Sequence, residues 1–340
     1  MRYAPQLVCA LVLALPKVAA WGNLGHETVG YVAMQFIGSK TLSFVQTSLG
    51  SQYNLSLGPA ATWADSVRSE TAFKFSAPFH FIDAEDNPPD SCSVNQARDC
   101  GDTGCIFTAI QNYTARVQKT SLGDEQVQEA LKFITHFVGD IGQPLHVEAL
   151  EVGGNDIDAI CDGKKTNLHA AWDTGMLQKN LDASFNSDPQ VWAAALTKEI
   201  KVLPSNPTMP HPLTKVQSGS FESDAADWAS CISPSALSST ACPLVWAKEA
   251  NSFDCVRAPL CLQVFQQLTI CTPAVLQSDV FSFTTGEDLC DSAYYTAAIP
   301  IVRTVRLLGD AFADVLRPQI TEQIAKQGFR LAKWLDAIFE

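Results

Sequence analysis

Six histidines occur in the 340 residues, and five of them sit where carboxylates or other histidines can join them. Two share one spacing, His136-Phe137-Val138-Gly139-Asp140 and His169-Ala170-Ala171-Trp172-Asp173. On a helix, residues four apart project from one face about one turn apart, so each pair could grip a metal ion. A single pair of this kind is as readily a hydrogen-bonded couple inside a core. Two pairs, joined through Pro144-Leu145-His146 and backed by His26 and His80, shift the balance to metal. Imidazole and carboxylate ligands at about 2.0–2.2 Å suit zinc, and mixed nitrogen and oxygen donors are typical of catalytic sites. The candidates are His26, Asp65, His80, His136, Asp140, His146, His169 and Asp173. They are too many for one tetrahedral ion, so two or three metals are implied. A shared carboxylate could hold two ions about 3.5–4 Å apart, the spacing used for in-line phosphoryl displacement.

The elements that must position these residues are mostly helical. Val29, Val32, Ala33 and Phe36 stand at helical spacing and predict a helix over 26–49. Further helices are expected over 58–75, 105–118 and 124–141, with Pro144 ending the last of these. The stretch APFHFIDAEDNPPDSC reads as a short extended run closed by a helix-breaking Asn-Pro-Pro-Asp. A glycine-bearing loop, EVGGND, precedes a helix over about 166–180, in which Leu168, Trp172 and Met176 form the apolar stripe beside His169 and Asp173. PSNPTMPHP at 204–212, which holds His211, is a loop, and 231–290 is cysteine-studded and irregular. Amphipathic helices return over 294–315 and 318–338. No internal repeat is present, strand signals are few, and the class is mainly α.

Composition narrows the setting. Residues 1–20 have a basic Arg2, the apolar run LVCALVLALP and small residues Val18 and Ala20, the pattern of a cleaved secretory signal. The run is too short to span a bilayer, and no later segment is long and apolar enough. Of 11 cysteines only Cys9 falls in this leader, and the even remainder suits disulfides in an oxidising compartment. Asn54-Leu55-Ser56 and Asn112-Tyr113-Thr114 are glycosylation sequons. The formal net charge of −13 excludes binding of nucleic acid by a broad basic surface. Bound divalent cations could supply positive charge locally instead.

Taken in order, WGxxGH directly after the leader, WAD, HFIDAEDNPP, HFVGDIGQPLH, GGN and NLHAAWD closely resemble the secreted tri-zinc single-strand nucleases (nuclease S-one/P-one type), whose site is shared with bacterial zinc phospholipase C. The likeness covers about 21–180 and resumes at WAKEANSFDC and GFRLAKW. It implies one helical zinc nuclease domain over 21–340, with disulfide-stapled loops and three zinc ions. One zinc would be held by Asp65, His80, His136 and Asp140. Its neighbour would take His26, Asp140 as bridge, and the amino nitrogen and carbonyl oxygen of Trp21, so that leader removal creates a ligand. The third would take His146, His169 and Asp173.

The resemblance also implies a chemistry. A hydroxide bridging the paired zincs, oriented by Asp65, would attack phosphorus, and the third zinc would stabilise the departing 3′-oxygen, leaving a 5′-phosphate. Arg68 would stabilise the phosphoryl oxygens, while Phe81, Asp83 and Asn155 would hold an unpaired base. Expected substrates are single-stranded DNA and RNA and 3′-nucleotides, acted on by a secreted monomer. The family's four cysteines correspond to Cys92, Cys100, Cys105 and Cys255, which implies Cys92–Cys255 and Cys100–Cys105. Cys161, Cys231, Cys242, Cys261, Cys271 and Cys290, with an insertion over 256–293, depart from the shorter members. Two other functions compete: a zinc phospholipase C, which should lack the Phe81/Asp83 clamp, and a catalytically silent metal- or ligand-binding protein, which would not need Asp65 and Arg68.

Overall fold

The computed structural model describes residues 21–201, 222–255, 280–281, 286–291 and 319–340. Its organising element is the helix Asp124–Asp140, buried at every residue from Ala130 to Asp140. Asp124 and Glu125 lie in its first turn, where the helix dipole favours negative charge. Phe133 and Phe137 stack at 5.3 Å, and Tyr113 of the helix Ile106–Val117 stacks on Phe133 at 4.4 Å, fixing one flank. The opposite flank meets the C-terminal helix Gln319–Phe339, where Gln323 donates to the Gly142 carbonyl at 2.8 Å, just past the end of the central helix. Arg330 is buried on the same C-terminal helix, donates to the Trp228 carbonyl at 2.9 Å and pairs with Glu249.

The N-terminal helix Asn23–Met34 packs beside the C-terminal one. Gly328 permits that approach, since a Cβ there would run into Val32. Strand content among the described residues is one hairpin, Asp158–Cys161 paired antiparallel with Lys164–Asn167, plus isolated bridges. Among the described residues Cys92–Cys255 and Cys161–Cys290 join distant parts of the chain, while Cys100–Cys105 and Cys231–Cys242 close short loops. Cys261 and Cys271 lie outside the described residues, as do the leader, most of 256–293, the loop 204–212 with His211, and the helix expected over 294–315.

Several elements differ from the sequence expectation. The helix over 26–49 is two helices, Asn23–Met34 and Ser39–Leu49, because Gly38 turns the chain and Asp336 accepts its N–H at 2.8 Å. The stretch 58–75 is broken into single turns, Leu57–Ala60 and Trp63–Val67, as Trp63 wedges edge-on between Phe73 and Phe133. A 3-10 helix, Lys74–His80, occupies the start of the expected extended run, which begins only at Phe81. The region 231–290 contains a regular helix, Ala241–Ser252, and the helices Pro189–Lys201 and Glu222–Trp228 were not anticipated.

The helix expected over 166–180 starts at Leu168 and widens into a π-turn over Ala171–Gly175 before resuming as Met176–Ser184. Such π-turns are often found at functional sites. Here the widened turn carries Asp173 and places Gly175 against the Cys161–Cys290 disulfide, where a Cβ would strike Cys161 Sγ.

Candidate metal centre

The central helix brings His136 and Asp140 to its buried face one turn apart, as their spacing requires. His26 comes from the N-terminal helix, His80 from the end of the 3-10 segment, and Asp65 from the Trp63–Val67 turn. Asp140 stands at the middle: Oδ1 is 3.0 Å from His26 Nε2, and Oδ2 is 3.1 Å from His80 Nδ1 and 3.2 Å from His136 Nε2. Asp65 Oδ1 lies 3.6 Å from both His80 Nδ1 and His136 Nε2, and Arg68 Nη1 reaches the same oxygen at 3.4 Å. A second group forms nearby, with Asp173 Oδ2 2.9 Å from His169 Nε2 and 3.8 Å from His146 Nε2.

Backbone carbonyls decide which nitrogen faces inward. His136 Nδ1 donates to Ala61 O at 2.6 Å, His146 Nδ1 to His80 O at 2.8 Å, and His169 Nδ1 to Gly153 O at 2.7 Å. A carbonyl can only accept, so each Nδ1 carries a proton and each Nε2 is the nitrogen turned to the centre. Ligating histidines are usually oriented this way by an outer partner. Gln143, fully buried, donates to Asp173 Oδ1 at 2.5 Å and accepts from Leu145 N–H at 2.6 Å, fixing the carboxylate.

Buried polar atoms are ordinarily hydrogen-bonded. Here His26 Nε2, both Asp65 oxygens, Asp140 Oδ1, His146 Nε2, His169 Nε2 and Asp173 Oδ2 are buried without a hydrogen-bond partner. Their ligand atoms fall into three groups within 4.8 Å: His26, Asp65 and His136; His80, His136 and Asp140; His146, His169 and Asp173. The first two share His136 and form one continuous set. Imidazole nitrogens and carboxylate oxygens that converge in this way fit divalent cations, and that mixture of nitrogen and carboxylate ligands fits zinc.

Electrostatics agree with that fit. Burial lowers His26 and holds His80 down at about 4, leaving both neutral. Burial works against ionisation of Asp140, but His136 and His26 together hold it well below the usual carboxylate range. Burial likewise opposes Asp173, which His169 and His146 bring down to about 2. His146 is lifted to about 9 because Asp173 outweighs the effect of burial, and Asp140 and Asp65 raise His136 in the same way. A metal ion taken up at these two histidines would displace protons, so its binding would weaken in acid.

Trp21 is wholly buried, with its indole Nε1 donating to Gly139 O at 3.0 Å, one residue before Asp140. Gly22 N–H donates to Asp173 O at 2.6 Å. Trp21 and Gly22 thus lie against the backbone beside Asp140 and at Asp173. Substrate-facing candidates flank the centre. Ile82 N–H donates to His146 O at 2.9 Å and Ala149 N–H to Ala84 O at 3.2 Å, laying Phe81–Ala84 beside the segment that leads to Asn155. Phe81 is 38% exposed and Asp83 is exposed, its carboxyl raised by burial and by Glu85 and Asp99. Asn155 is half-buried and donates its amide to Val152 O at 2.8 Å.

Two contributors are not legible in the sequence. Gln143 lay unread inside GDIGQPLH. The carbonyls of Ala61, His80 and Gly153 leave no side-chain signal. The GGN loop, expected as a glycine-bearing loop, adds a conformation the sequence does not state: a left-handed turn, with φ of 49°, 58°, 58° and 75° from Glu151 to Gly154. Gly153 is required there, since a Cβ would strike the Leu145 carbonyl, and the adjacent glycine pair was the available clue.

A mainly helical fold enclosing three His/Asp groups that could hold metal ions fits a metallohydrolase type of site. The sequence profile of the S1/P1 Nuclease family matches residues 21–340. Nuclease S1 of Aspergillus oryzae is 37% identical over 332 residues, covering 97% of this chain and 96% of that protein. Nuclease P1 of Penicillium citrinum is 37% identical over 318 residues, 94% of this chain and 97% of its own length. Endonuclease 4 of Arabidopsis thaliana is 28% identical over 343 residues, 98% and 93% of the two chains. The chain belongs to the S1/P1 nuclease family and is an enzyme of the hydrolase class. No helix among the described residues is long and apolar enough to cross a membrane.

Proposed function

We propose that the protein is a secreted zinc nuclease of one domain over 21–340, acting as a monomer. It would cleave single-stranded DNA and RNA to 5′-phosphate products and release phosphate from 3′-nucleotides. The observation that carries this reading is the convergence of partnerless buried donor atoms in three His/Asp groups, inside a chain of a nuclease family. Asp65, His80, His136 and Asp140 would hold one zinc. His26, Asp140 and the amine and carbonyl of Trp21 would hold the second, and His146, His169 and Asp173 the third. Zinc there would supply positive charge against the phosphate and lower the pKa of a coordinated water to about 7 or below.

The remaining work falls to the chain's own residues. Asp65 stands at the rim of the larger group and orients the attacking water while accepting its proton. Arg68, side by side with Asp65 and 19% exposed, has further N–H groups free to meet the non-bridging phosphoryl oxygens. Phe81 offers a face for stacking and Asp83 accepts from base N–H groups, with Asn155 close by. A base reaches such a clamp only when unpaired, which favours single strands. The cation centre also reconciles a net charge of −13 with a polyanionic substrate. Four disulfides among the described residues support an oxidising compartment, and Asn54 and Asn112, both exposed, are the proposed glycan sites.

The test compares digestion of single-stranded DNA, RNA, duplex DNA and a 3′-mononucleotide by the protein beginning at Trp21, before and after chelation. The reading expects 5′-phosphate ends, preference for single strands, loss on chelation and recovery with zinc. It also expects Asp65→Asn to lower kcat by about 10²-fold or more. Activity that survives chelation, or duplex cleaved as fast as single strands, would contradict it.

A further inference from the structure

An exposed aromatic ridge leads away from Phe81. The segment Lys74–His80 is a 3-10 helix, where three residues make a turn and side chains three apart eclipse one another. Phe75 and Pro78 stand at that spacing, and Phe81 follows at the C-cap. Phe75 is 55% exposed and Pro78 half-buried. The exposed ring is nonetheless held in place. Phe79 meets it edge-on with centroids 6.2 Å apart, and Phe73 lies at 6.4 Å, itself edge-on to Trp63 at 5.1 Å. An aromatic face that is both presented to solvent and backed by other rings is what sequence-tolerant stacking of bases needs.

Charge and length fit the same occupant. From Thr71 to Ile82 the chain has no acidic residue and carries Lys74, although 36 acidic residues occur in the whole. At about 2.0 Å rise per residue, the six steps from Phe75 to Phe81 span roughly 12 Å. A strand with stacked bases rises about 3.4 Å per nucleotide, so that span corresponds to roughly three nucleotide steps. The 3-10 segment that carries Phe75 leads directly into Phe81 at its C-cap.

We propose that Phe75, backed by Phe79, is a second stacking platform, taking an unpaired base of the substrate strand about three nucleotides from the base at Phe81. This rests on the single-strand nuclease reading above. It makes the enzyme read length: oligonucleotides reach the ridge, whereas mononucleotides fill only the Phe81 clamp. Phe75 acts on binding alone, because it touches neither the metal groups nor the reacting phosphate.

The experiment uses zinc-loaded wild type, Phe75→Ala and Phe75→Trp. Binding of a fluorescein-labelled phosphorothioate decathymidylate, which resists cleavage, is followed by anisotropy. KM and kcat are measured on a decathymidylate and on a 3′-mononucleotide. Loss of a stacked base weakens binding by about 5- to 150-fold. The decamer Kd of Phe75→Ala should rise within that range, with its KM rising relative to the mononucleotide KM, while Phe75→Trp keeps tight binding. Unaltered decamer affinity in Phe75→Ala would overturn the proposal. So would an equal loss on both substrates, or a loss that Phe75→Trp shares, since either marks a merely structural role. A wild type that cleaves neither substrate would instead remove the nuclease reading on which the platform rests.

Discussion

Gln143→Leu should disable one metal group while leaving the other intact. Gln143 is fully buried between Asp173 and the Leu145 amide, with both ends of its side-chain amide in use. Leucine fills a similar volume but offers neither donor nor acceptor. Asp173 then loses a hydrogen bond to an ionised group, worth about 1.5–3 kcal/mol, and the Leu145 N–H loses one worth about 1 kcal/mol. The sum, roughly 2.5–4 kcal/mol, corresponds to a fall in Tm on the order of 4–6 °C for a chain of this size. Removing an outer partner of a ligand typically costs 10–100-fold in metal affinity. Competition against a chromophoric chelator should therefore show one zinc equivalent bound about 10–100-fold more weakly, with the other equivalents as in wild type. Equal weakening of every equivalent, or none at all, would refute the assignment of Gln143 to the His146–His169–Asp173 group.

Three further outcomes are expected. One residue left in front of Trp21 should reduce bound zinc and activity together, measured by elemental analysis and digestion, because the blocked amine can no longer ligate; full loading would sink the idea. Glu148 is buried, and its carboxyl is pushed up to about 8 by burial and by neighbouring Asp86. An unfolded Glu ionises near 4.3, so from about pH 4.5 to 8 the fold keeps a proton that the unfolded chain has released, and stability falls as pH rises. The Tm of Glu148→Gln should fall less steeply over that window than that of wild type, and parallel curves would contradict this. Replacing Cys161 and Cys290 together by serine opens a bridge spanning 129 residues and should cost about 2–4 kcal/mol in denaturant unfolding. Because that bridge abuts Gly175 in the π-turn carrying Asp173, zinc in the same group should also bind more weakly.

How far these features could be read in advance depended on whether the spacing of residues encoded them. His136 and Asp140 lie four apart on a helix whose own period brings them together, so sequence alone indicated their shared face. His169 and Asp173 also meet, though through a π-turn that no local pattern announces. The break at Gly38 arises from Asp336, about 300 residues away, and such partners leave no trace in a local window. The helix Ala241–Ser252 has no single apolar stripe to mark it, because it is buried on several sides, at Cys242, Pro243, Trp246, Ala247 and Ala250. The pairings Cys161–Cys290 and Cys231–Cys242 likewise required the folded chain, since six cysteines admit many connectivities.

Elemental zinc analysis of the purified protein beginning at Trp21, with single- and double-stranded substrates digested in parallel, tests the central claim most directly. The account predicts about three zinc ions per chain and 5′-phosphate products from the single strands. One zinc or none, with single strands still cleaved, would contradict it.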